Sequence, residues 1–205
     1  MPESIARAAA PCYAPVAVKL LCDTSAEWVE QAVEHFDQVL VDHAHCEKKA
    51  AAQALSLLSA FPGEPGLARA MARLAREEAG HLFQVLALLE KRGLCLGADG
   101  GDPYAQALQS QVRQPARERL LDRLLVSALI EARSEERLSL LAARLRDPAL
   151  RDFYARLAQA EKGHGELFLE LARKTAPQSC DSRLAELARI EAKLIRSLPV
   201  RPRIH

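Results

Sequence analysis

RLAREEAGH at residues 73–81 returns 83 residues later as RLAQAEKGH at residues 156–164. Each segment ends in Glu-x-Gly-His, and on a helix this spacing puts a carboxylate and an imidazole one turn apart on the same face. Leucine and alanine surround both segments at intervals of three and four residues, which is the spacing of a helix that buries one face. The repeat therefore predicts two related helical hairpins, each presenting one Glu-x-x-His pair to a common core.

Proline, glycine and capping residues bound the other predicted elements. We predict helices over residues 25–61, 65–92, 115–146, 148–175 and 182–197. The first begins at a capping-box pattern formed by Thr24 and Glu27. A short helical piece follows Pro103, inside the long connection between the second and third helices. Four helices of about thirty residues, joined by two tight turns and one long connection, predict an all-α four-helix bundle with a crossover and additional flanking helices.

Composition supports one helical domain over residues 1–205. Hydrophobic residues make up 49% of the chain, which is enough for a core, and aromatic residues only 4%, which disfavours sheets. We expect the short N-terminal segment 1–23, and the C-terminal helix with its basic tail at 178–205, to pack on the bundle. The chain shows neither a signal peptide nor a membrane span, and its five cysteines form no C-x-x-C pair. These patterns predict a cytoplasmic protein that has no membrane partner, disulfide framework or zinc knuckle.

Six side chains on the buried stripes of four helices are predicted to bind metal. They are Glu47, Glu78, His81, Glu131, Glu161 and His164. Glu47 precedes Glu78 by 31 residues and Glu131 precedes Glu161 by 30, so all four carboxylates can meet at one level. Four carboxylates in an apolar core repel one another and are costly to desolvate, whereas two divalent cations cancel their charge. Oxygen-rich ligation with one imidazole per ion suits iron or manganese better than a thiolate-binding metal, and of these we favour two iron ions.

Some neighbouring residues allow two interpretations. His43, one turn before Glu47, is either a satisfied core histidine or a hydrogen-bond partner of the ligands. Arg133 and Glu135 either support the ligands or form exposed helix pairs. Asp42 and His45 mimic the ligand motif but are predicted to be a solvated pair, since they point away from Glu47 on a helical wheel.

Two basic clusters contrast with a net charge of only +1. One comprises Arg113, Arg117, Arg119 and Arg123, and the other comprises Lys193, Arg196, Arg201 and Arg203. The net charge gives no overall attraction to nucleic acid, so these arginines and lysines are either solvated surface charges or local phosphate contacts.

Longer motifs around the ligands resemble a known family, the ferritin-like di-iron tRNA hydroxylases called MiaE. The resemblance rests on DHAHCEKKAA at 42–51, LAREE at 74–78, LIEARS at 129–134 and FY at 153–154, and it runs from about Thr24 to the end of the chain. These runs are more specific than Glu-x-x-His, because other ferritin-like proteins share only the ligands.

The resemblance implies an O2-dependent monooxygenase that hydroxylates the isopentenyl group of 2-methylthio-N6-isopentenyladenosine in tRNA. It also implies that Glu78 and Glu161 bridge the two irons (Fe2+/Fe3+), and that Glu47 with His81 and Glu131 with His164 complete the two ends. The partners would then be the modified purine in the anticodon loop, O2 as cosubstrate and a separate reductase as electron donor.

Three other classes of protein remain as alternatives. A ferritin-like ferroxidase or iron-storage protein would use the same ligands but would assemble into a cage. A rubrerythrin-type protein typically needs a second iron site with four cysteines, which the scattered cysteines do not offer. A structural helical protein would bind no metal.

Overall fold

The computed structural model describes residues 18–205, and every regular element in that range is a helix. The helices are α1 (Ala26–Glu34), α2 (Phe36–Ala60), α3 (Leu67–Lys91), α4 (Pro103–Gln109), α5 (Ala116–Arg144), α6 (Pro148–Thr175) and α7 (Cys180–Ser197). The prediction of an all-α fold is confirmed. Outside the first predicted helix, the boundaries differ from the predicted ones by at most two residues at each end.

Two helical hairpins build the bundle. α2 packs along α3 and α5 packs along α6, and the hairpins meet where α3 approaches α6. The Cα atoms of α2 and α5 stay more than 8 Å apart, and the two helices are joined through side chains such as Arg123, which donates to Gln53 and Ser56. The long connection from α3 to α5 contains α4, which contacts α5 and α7. This is the predicted ferritin-like four-helix bundle with a crossover and additional flanking helices.

The apolar core forms two clusters along the bundle. One contains Leu57, Leu74 and Phe168, and the other contains Leu40 and Val85. On every long helix, the predicted metal ligands lie between a residue of the first cluster and a residue of the second. The packing therefore places a polar layer across the middle of the bundle.

The first predicted helix is wrong at one position, because the chain breaks at His35 into α1 and α2. His35 has φ −107° and ψ 40°, which lies outside the helical region. The break lets α1 lean onto α5 while α2 stays packed on α3, and one straight helix does not reach both. Apolar spacing continues through the break, so the sequence pattern alone does not reveal it.

The predicted capping box at Thr24 is also wrong. Ser25 is the N-cap of α1, and its hydroxyl accepts a hydrogen bond from the Trp28 N–H at 3.2 Å. Thr24 instead binds Glu136 on α5, through its backbone N–H at 2.9 Å and its hydroxyl at 2.6 Å. Glu136 therefore ties the residue before the N-cap of α1 to α5.

The C-terminal segment packs on the bundle through directed hydrogen bonds. The Trp28 indole donates to the Arg203 carbonyl at 2.8 Å, and Arg137 donates to the Ile204 carbonyl at 2.7 Å. The Ile204 N–H donates to Asp42 at 2.8 Å. Residues 1–17 of the predicted N-terminal segment, with Cys12, lie outside the described residues, and the single domain over 1–205 stays a prediction. Among residues 18–205, no helix has both the length and the apolar character needed to cross a lipid bilayer.

A buried carboxylate, Asp122, joins α5 to α7 and to the loop before α5. Its side chain is fully buried and accepts hydrogen bonds from the Arg113 guanidinium at 2.7 and 2.8 Å and from the Arg183 guanidinium at 2.9 and 3.0 Å. Burial opposes ionisation, but the two guanidinium groups outweigh it and lower the pKa of Asp122 from its ordinary value of 3.8.

We expect Asp122→Asn to lower the free energy of unfolding at pH 7 by about 2–3 kcal/mol. This is less than the roughly 3–5 kcal/mol lost when a fully buried pair is broken, because Arg113 is partly exposed. A lowered folded-state pKa stabilises the protein above pH 3.8, and this stabilisation disappears as the pH falls through the folded-state pKa. Urea unfolding should show a difference in stability between wild type and Asp122→Asn that is smaller at pH 3 than at pH 7. Asp152→Asn, at an exposed position on α6, serves as control. An equal difference at both pH values would contradict the charge argument.

Candidate metal centre

The four long helices bring six acidic and imidazole side chains to one level of the bundle. They are Glu47 on α2, Glu78 and His81 on α3, Glu131 on α5, and Glu161 and His164 on α6. All four carboxylates are buried. These are the six residues predicted from the sequence, and the structure brings their side chains together.

Ligand atoms in this layer form two groups. One atom each from Glu47, Glu78, His81 and Glu161 lie within 4.8 Å of one another, and so do atoms from Glu78, Glu131, Glu161 and His164. Glu78 and Glu161 belong to both groups. Each hairpin thus supplies one shared carboxylate, and each group draws on both hairpins.

Short distances between the imidazoles and the carboxylates define both groups. His81 Nδ1 lies 3.4 Å from Glu78 Oε2 and 3.5 Å from Glu47 Oε2. His164 Nδ1 lies 2.9 Å from Glu78 Oε1 and 3.8 Å from Glu161 Oε2. The two imidazole rings are 5.6 Å apart between centroids. The histidines therefore face the same carboxylates from two sides.

Several polar atoms of the layer have no hydrogen-bond partner among residues 18–205. They are Glu47 Oε2, both carboxylate oxygens of Glu78, Glu161 Oε1, His81 Nδ1 and His164 Nδ1. A buried polar atom without a partner costs about 1–3 kcal/mol, and native proteins avoid such atoms. Cations between the carboxylates and imidazoles would satisfy all of these atoms together. The donor set therefore fits a site for two metal ions, and its oxygen-rich chemistry suits hard or borderline ions.

Charge within the layer shifts pKa values of both residue types. Burial disfavours the imidazolium form, but neighbouring carboxylates outweigh it and raise the pKa of His81 to about 10 and that of His164 to about 11. Burial and the charge of Glu161 raise the pKa of Glu131 well above its usual range. Without metal, protons on both imidazoles and on Glu131 therefore offset most of the negative charge of the layer.

His43 is both a core histidine with satisfied ring nitrogens and a hydrogen-bond partner of a predicted ligand. It is buried, and its Nε2 lies 2.7 Å from Glu47 Oε1, while its Nδ1 lies 3.4 Å from the Tyr154 hydroxyl. A carboxylate only accepts, so Nε2 carries the proton and Nδ1 accepts from Tyr154. His43 thereby fixes the orientation of Glu47 from the side opposite His81.

Two interpretations of neighbouring residues are wrong. Asp42 and His45 are not a solvated pair, since His45 is buried beside Lys48 and Asp42 accepts the Ile204 N–H. Arg133 does not support the ligands. It is fully buried and binds Glu191 at 2.8 Å, the Cys22 carbonyl at 2.7 Å and Glu136, because α7 places Glu191 behind α5. For the remaining ambiguous residue, Glu135, the structure gives a hydrogen bond from the hydroxyl of exposed Ser139 to Glu135 Oε1 at 3.5 Å.

A cavity of about 210 Å3 lies beside the carboxylates. Its wall includes Glu47 and Glu131 at the metal level, and Ala50, Ile130 and Phe168 form apolar parts of the lining. α2 and α5 contribute facing walls, and α4 and residues 204–205 also line the space. The cavity therefore leaves room for a small organic group beside the metal layer.

The structure adds residues that sequence reasoning missed. His205 reaches the cavity wall, where its Nε2 lies 3.0 Å from Ser134 Oγ and its Nδ1 lies 3.5 Å from Asp102. Gln53 also lines the cavity. No spacing rule connects a residue with a partner 71 or 103 positions away, so the sequence held no signal for His205.

Comparison with protein families gives one match over most of the chain. The family described as "tRNA-(MS[2]IO[6]A)-hydroxylase (MiaE)" matches residues 12–205. A Pseudomonas putida protein named tRNA 2-(methylsulfanyl)-N(6)-isopentenyladenosine(37) hydroxylase is 39% identical over 185 residues, covering 90% of each chain. A Salmonella typhimurium protein of the same name is 27% identical, covering 89% of this chain and 86% of its own.

A solved structure shares the fold. It is named "Protein 43 with aldehyde deformylating oxygenase activity from Synechococcus". The two chains superpose with a TM-score of 0.86 at 43% sequence identity, covering 91% of this chain and 94% of the other. A bundle with this connectivity is therefore established in a protein that is named for an oxygenase activity.

The metal-free and metal-loaded states should respond in opposite ways to Glu131→Gln. A carboxyl whose folded-state pKa is raised destabilises the metal-free protein at pH 7, and glutamine removes that effect because it cannot ionise. Metal-free Glu131→Gln should therefore unfold at higher urea than metal-free wild type, whereas with metal the wild type should be the more stable.

Urea unfolding with chelator and with Fe2+ under anaerobic conditions checks this reversal. In chelator, the stability difference between Glu131→Gln and wild type should disappear near pH 4. This pH lies below the ordinary glutamate pKa of 4.5, so the wild-type carboxyl is mostly protonated in both the folded and the unfolded state. Glu90→Gln, at an exposed position near the end of α3, serves as control and should change neither curve. If the same protein, wild type or Glu131→Gln, were the more stable one both with and without metal, Glu131 would not be a metal ligand.

Proposed function

This chain belongs to the MiaE family of tRNA hydroxylases, and we propose that it hydroxylates the isopentenyl group of 2-methylsulfanyl-N6-isopentenyladenosine in tRNA. The observation that carries the proposal is a partly apolar cavity whose wall includes the shared carboxylates Glu78 and Glu161. A hydrocarbon group that enters this cavity comes to rest beside a site fit for two metal ions.

In this proposal the resident metal is iron, held by the six predicted ligands. Glu78 and Glu161 serve both ions, Glu47 and His81 complete one end, and Glu131 and His164 complete the other. Their membership in the two groups of ligand atoms supports this division. Four carboxylates and two neutral imidazoles give a formally neutral site with two Fe2+, which suits a buried position.

The proposed reaction inserts one oxygen atom of O2 into a C–H bond of the prenyl group. Two electrons and two protons reduce the other oxygen atom to water, so an external electron donor, a separate reductase, is part of the proposal. The iron pair supplies the activation of O2, which no amino-acid side chain provides. The cavity walls hold the prenyl carbons beside the site and exclude bulk water from it.

The substrate requires access from outside the bundle. A base in an RNA loop is unstacked and bound through its edges and faces, which lets its substituent enter a buried pocket. We propose that the modified purine of the anticodon loop leaves its stack in this way, while basic side chains near the cavity contact the phosphates. A cytoplasmic location, with no membrane partner, completes the proposal.

Two rival activities are tested by the same preparation. The similar proteins are named as hydroxylases or as an oxygenase, so they give no support to a ferritin-like ferroxidase or iron-storage role. The name of the Synechococcus protein makes an aldehyde the alternative substrate of an oxygenase site. The names of both curated relatives favour tRNA.

A single-turnover experiment tests the function directly. The protein is loaded anaerobically with Fe2+, mixed with tRNA that carries the modified base, exposed to O2, and the nucleosides are analysed by mass spectrometry. We expect a gain of one oxygen atom on the isopentenyl adenosine, abolished in Glu78→Ala and retained in Glu90→Ala on the exposed face of the same helix.

Parallel reactions separate the rivals. Iron oxidation without a change in the nucleoside would contradict the hydroxylase and support a ferroxidase. Conversion of a long-chain aldehyde with tRNA left unmodified would point to the activity for which the Synechococcus protein is named.

The two basic clusters should differ in their contribution to tRNA binding. Arg123 donates to Gln53 in the cavity wall at 3.3 Å, and Arg117 and Arg119 lie on the same end of α5. Lys193 is exposed on α7. We therefore expect Arg117→Glu to weaken tRNA binding more than Lys193→Glu.

The salt dependence of the dissociation constant provides the measurement. Each lost phosphate contact should reduce the slope of log Kd against log salt by about 0.7–0.9. Iron content should stay unchanged in both variants, because neither residue is near the ligands. Equal binding of wild type and Arg117→Glu at all salt concentrations would rule out a phosphate contact at this end of α5.

A further inference from the structure

The cavity wall contains an amide that internal packing leaves unsatisfied. Gln53 on α2 lines the cavity, and its Nε2 is buried without a hydrogen-bond acceptor among the described residues 18–205. A buried amide N–H2 that lacks an acceptor is costly, so its position at a cavity wall indicates that a ligand supplies one. We propose that Gln53 recognises the purine ring of the substrate by donating a hydrogen bond to a ring nitrogen.

Arg123 fixes which end of the amide is available. Its guanidinium donates to Gln53 Oε1 at 3.3 Å and to Ser56 Oγ at 3.1 Å. Arginine carries only donors, so the amide oxygen must face it and the amide nitrogen must face away. The side chain of Gln53 is therefore presented as a donor and not as an acceptor.

The donor matches the chemistry of the base in the proposed function, on which this inference rests. A purine that is alkylated on its exocyclic N6 keeps two acceptors beside that position, N1 and N7. A donating amide suits either of them, whereas an accepting carboxylate would be repelled by their lone pairs. Gln53 thus selects for a purine edge that presents an acceptor next to the prenylated amine.

The rise along α2 from the metal layer to Gln53 matches the length of the prenyl group. Gln53 lies six residues beyond Glu47 on α2, a rise of about 9 Å at roughly 1.5 Å per residue. From N6 to a terminal methyl, the isopentenyl group has four bonds of about 1.5 Å, or roughly 5 Å end to end. With the methyl carbon in van der Waals contact with the metal layer, at about 4 Å, the purine edge comes to the level of Gln53.

The wall between these two levels suits a hydrocarbon. Ala50 lies between Glu47 and Gln53 on α2, Ile130 comes from α5, and Phe168 lies one turn beyond His164 on α6. Ser127 on α5 and Lys49 on α2 are polar parts of the lining. Lys49 is paired with Asp102 at 3.3 Å, whereas the buried hydroxyl of Ser127 also lacks a partner among residues 18–205. A prenyl chain therefore meets apolar side chains on its way to the carboxylates, and the ring stays at the amide.

A chemical double-mutant cycle on the metal-free protein tests the contact without depending on iron or turnover. The probes are synthetic anticodon stem-loops that carry the modified base with N1 or N7 replaced by C–H. They are compared with the parent stem-loop by fluorescence anisotropy, using wild type and Gln53→Met, which keeps the length of the side chain but cannot donate. One of the two replacements should weaken binding to wild type about 3- to 10-fold, as expected for one hydrogen bond, and should leave binding to Gln53→Met unchanged.

Controls separate recognition from folding. Gln38→Met, on the exposed face of the same helix, should behave as wild type with all three stem-loops. Gln53→Met should keep the wild-type circular dichroism spectrum, cooperative unfolding and iron content, and its kcat/KM with tRNA should fall about 3- to 10-fold by the same reasoning.

The possible outcomes are distinguishable. If both nitrogen replacements weaken binding to Gln53→Met as much as binding to wild type, Gln53 does not contact the ring and the inference is overturned. If wild type neither prefers the modified stem-loop over one with plain adenosine nor hydroxylates tRNA, the proposed function itself fails.

Discussion

Repulsion among four carboxylates in an apolar core is the constraint on which the rest of this structure depends. Glu47, Glu78, Glu131 and Glu161 lie at one level between two hydrophobic clusters. A carboxylate in such surroundings needs a cation or a proton, and the neighbouring carboxylates raise the pKa of His81 and of His164, which favours protonated imidazoles when no metal is bound. Helix lengths, hairpin pairing and the orienting bond from His43 to Glu47 all serve to hold this charge layer in place.

Much of the fold and of the polar layer follows from the sequence, because both depend on local periodicity. Apolar spacing on each helix identifies the buried face, and an acid on that face must be part of a polar site. The equal spacing from Glu47 to Glu78 and from Glu131 to Glu161, within one residue, then brings the layer to one height. The break at His35 escaped prediction, since it is caused by α1 packing on α5 and not by any local helix-breaking residue.

Contacts between distant parts of the chain also lay beyond the sequence pattern. Arg133 lies close to the ligands in a motif shared with the family, yet it turns to Glu191 on α7, 58 residues away. The tail at residues 203–205 is held by Trp28, Arg137 and Asp42, and it completes the cavity wall. The unsatisfied amide of Gln53 is visible only when all of its neighbours are known. Periodicity finds residues that share a face, whereas the cavity depends on how far apart the α2 and α5 backbones lie and on which side chains fill the space between them.

The sharing of Glu78 and Glu161 between both groups of ligand atoms bears on the ancestry of the bundle. Each hairpin contributes one shared acid, one unshared acid and one imidazole, and residues 73–81 of the first match residues 156–164 of the second. A single hairpin that paired with its own copy about a two-fold axis would already have assembled the complete ligand set. Duplication and fusion of that gene would then have freed the two halves to diverge in sequence while each kept its share of the ligands.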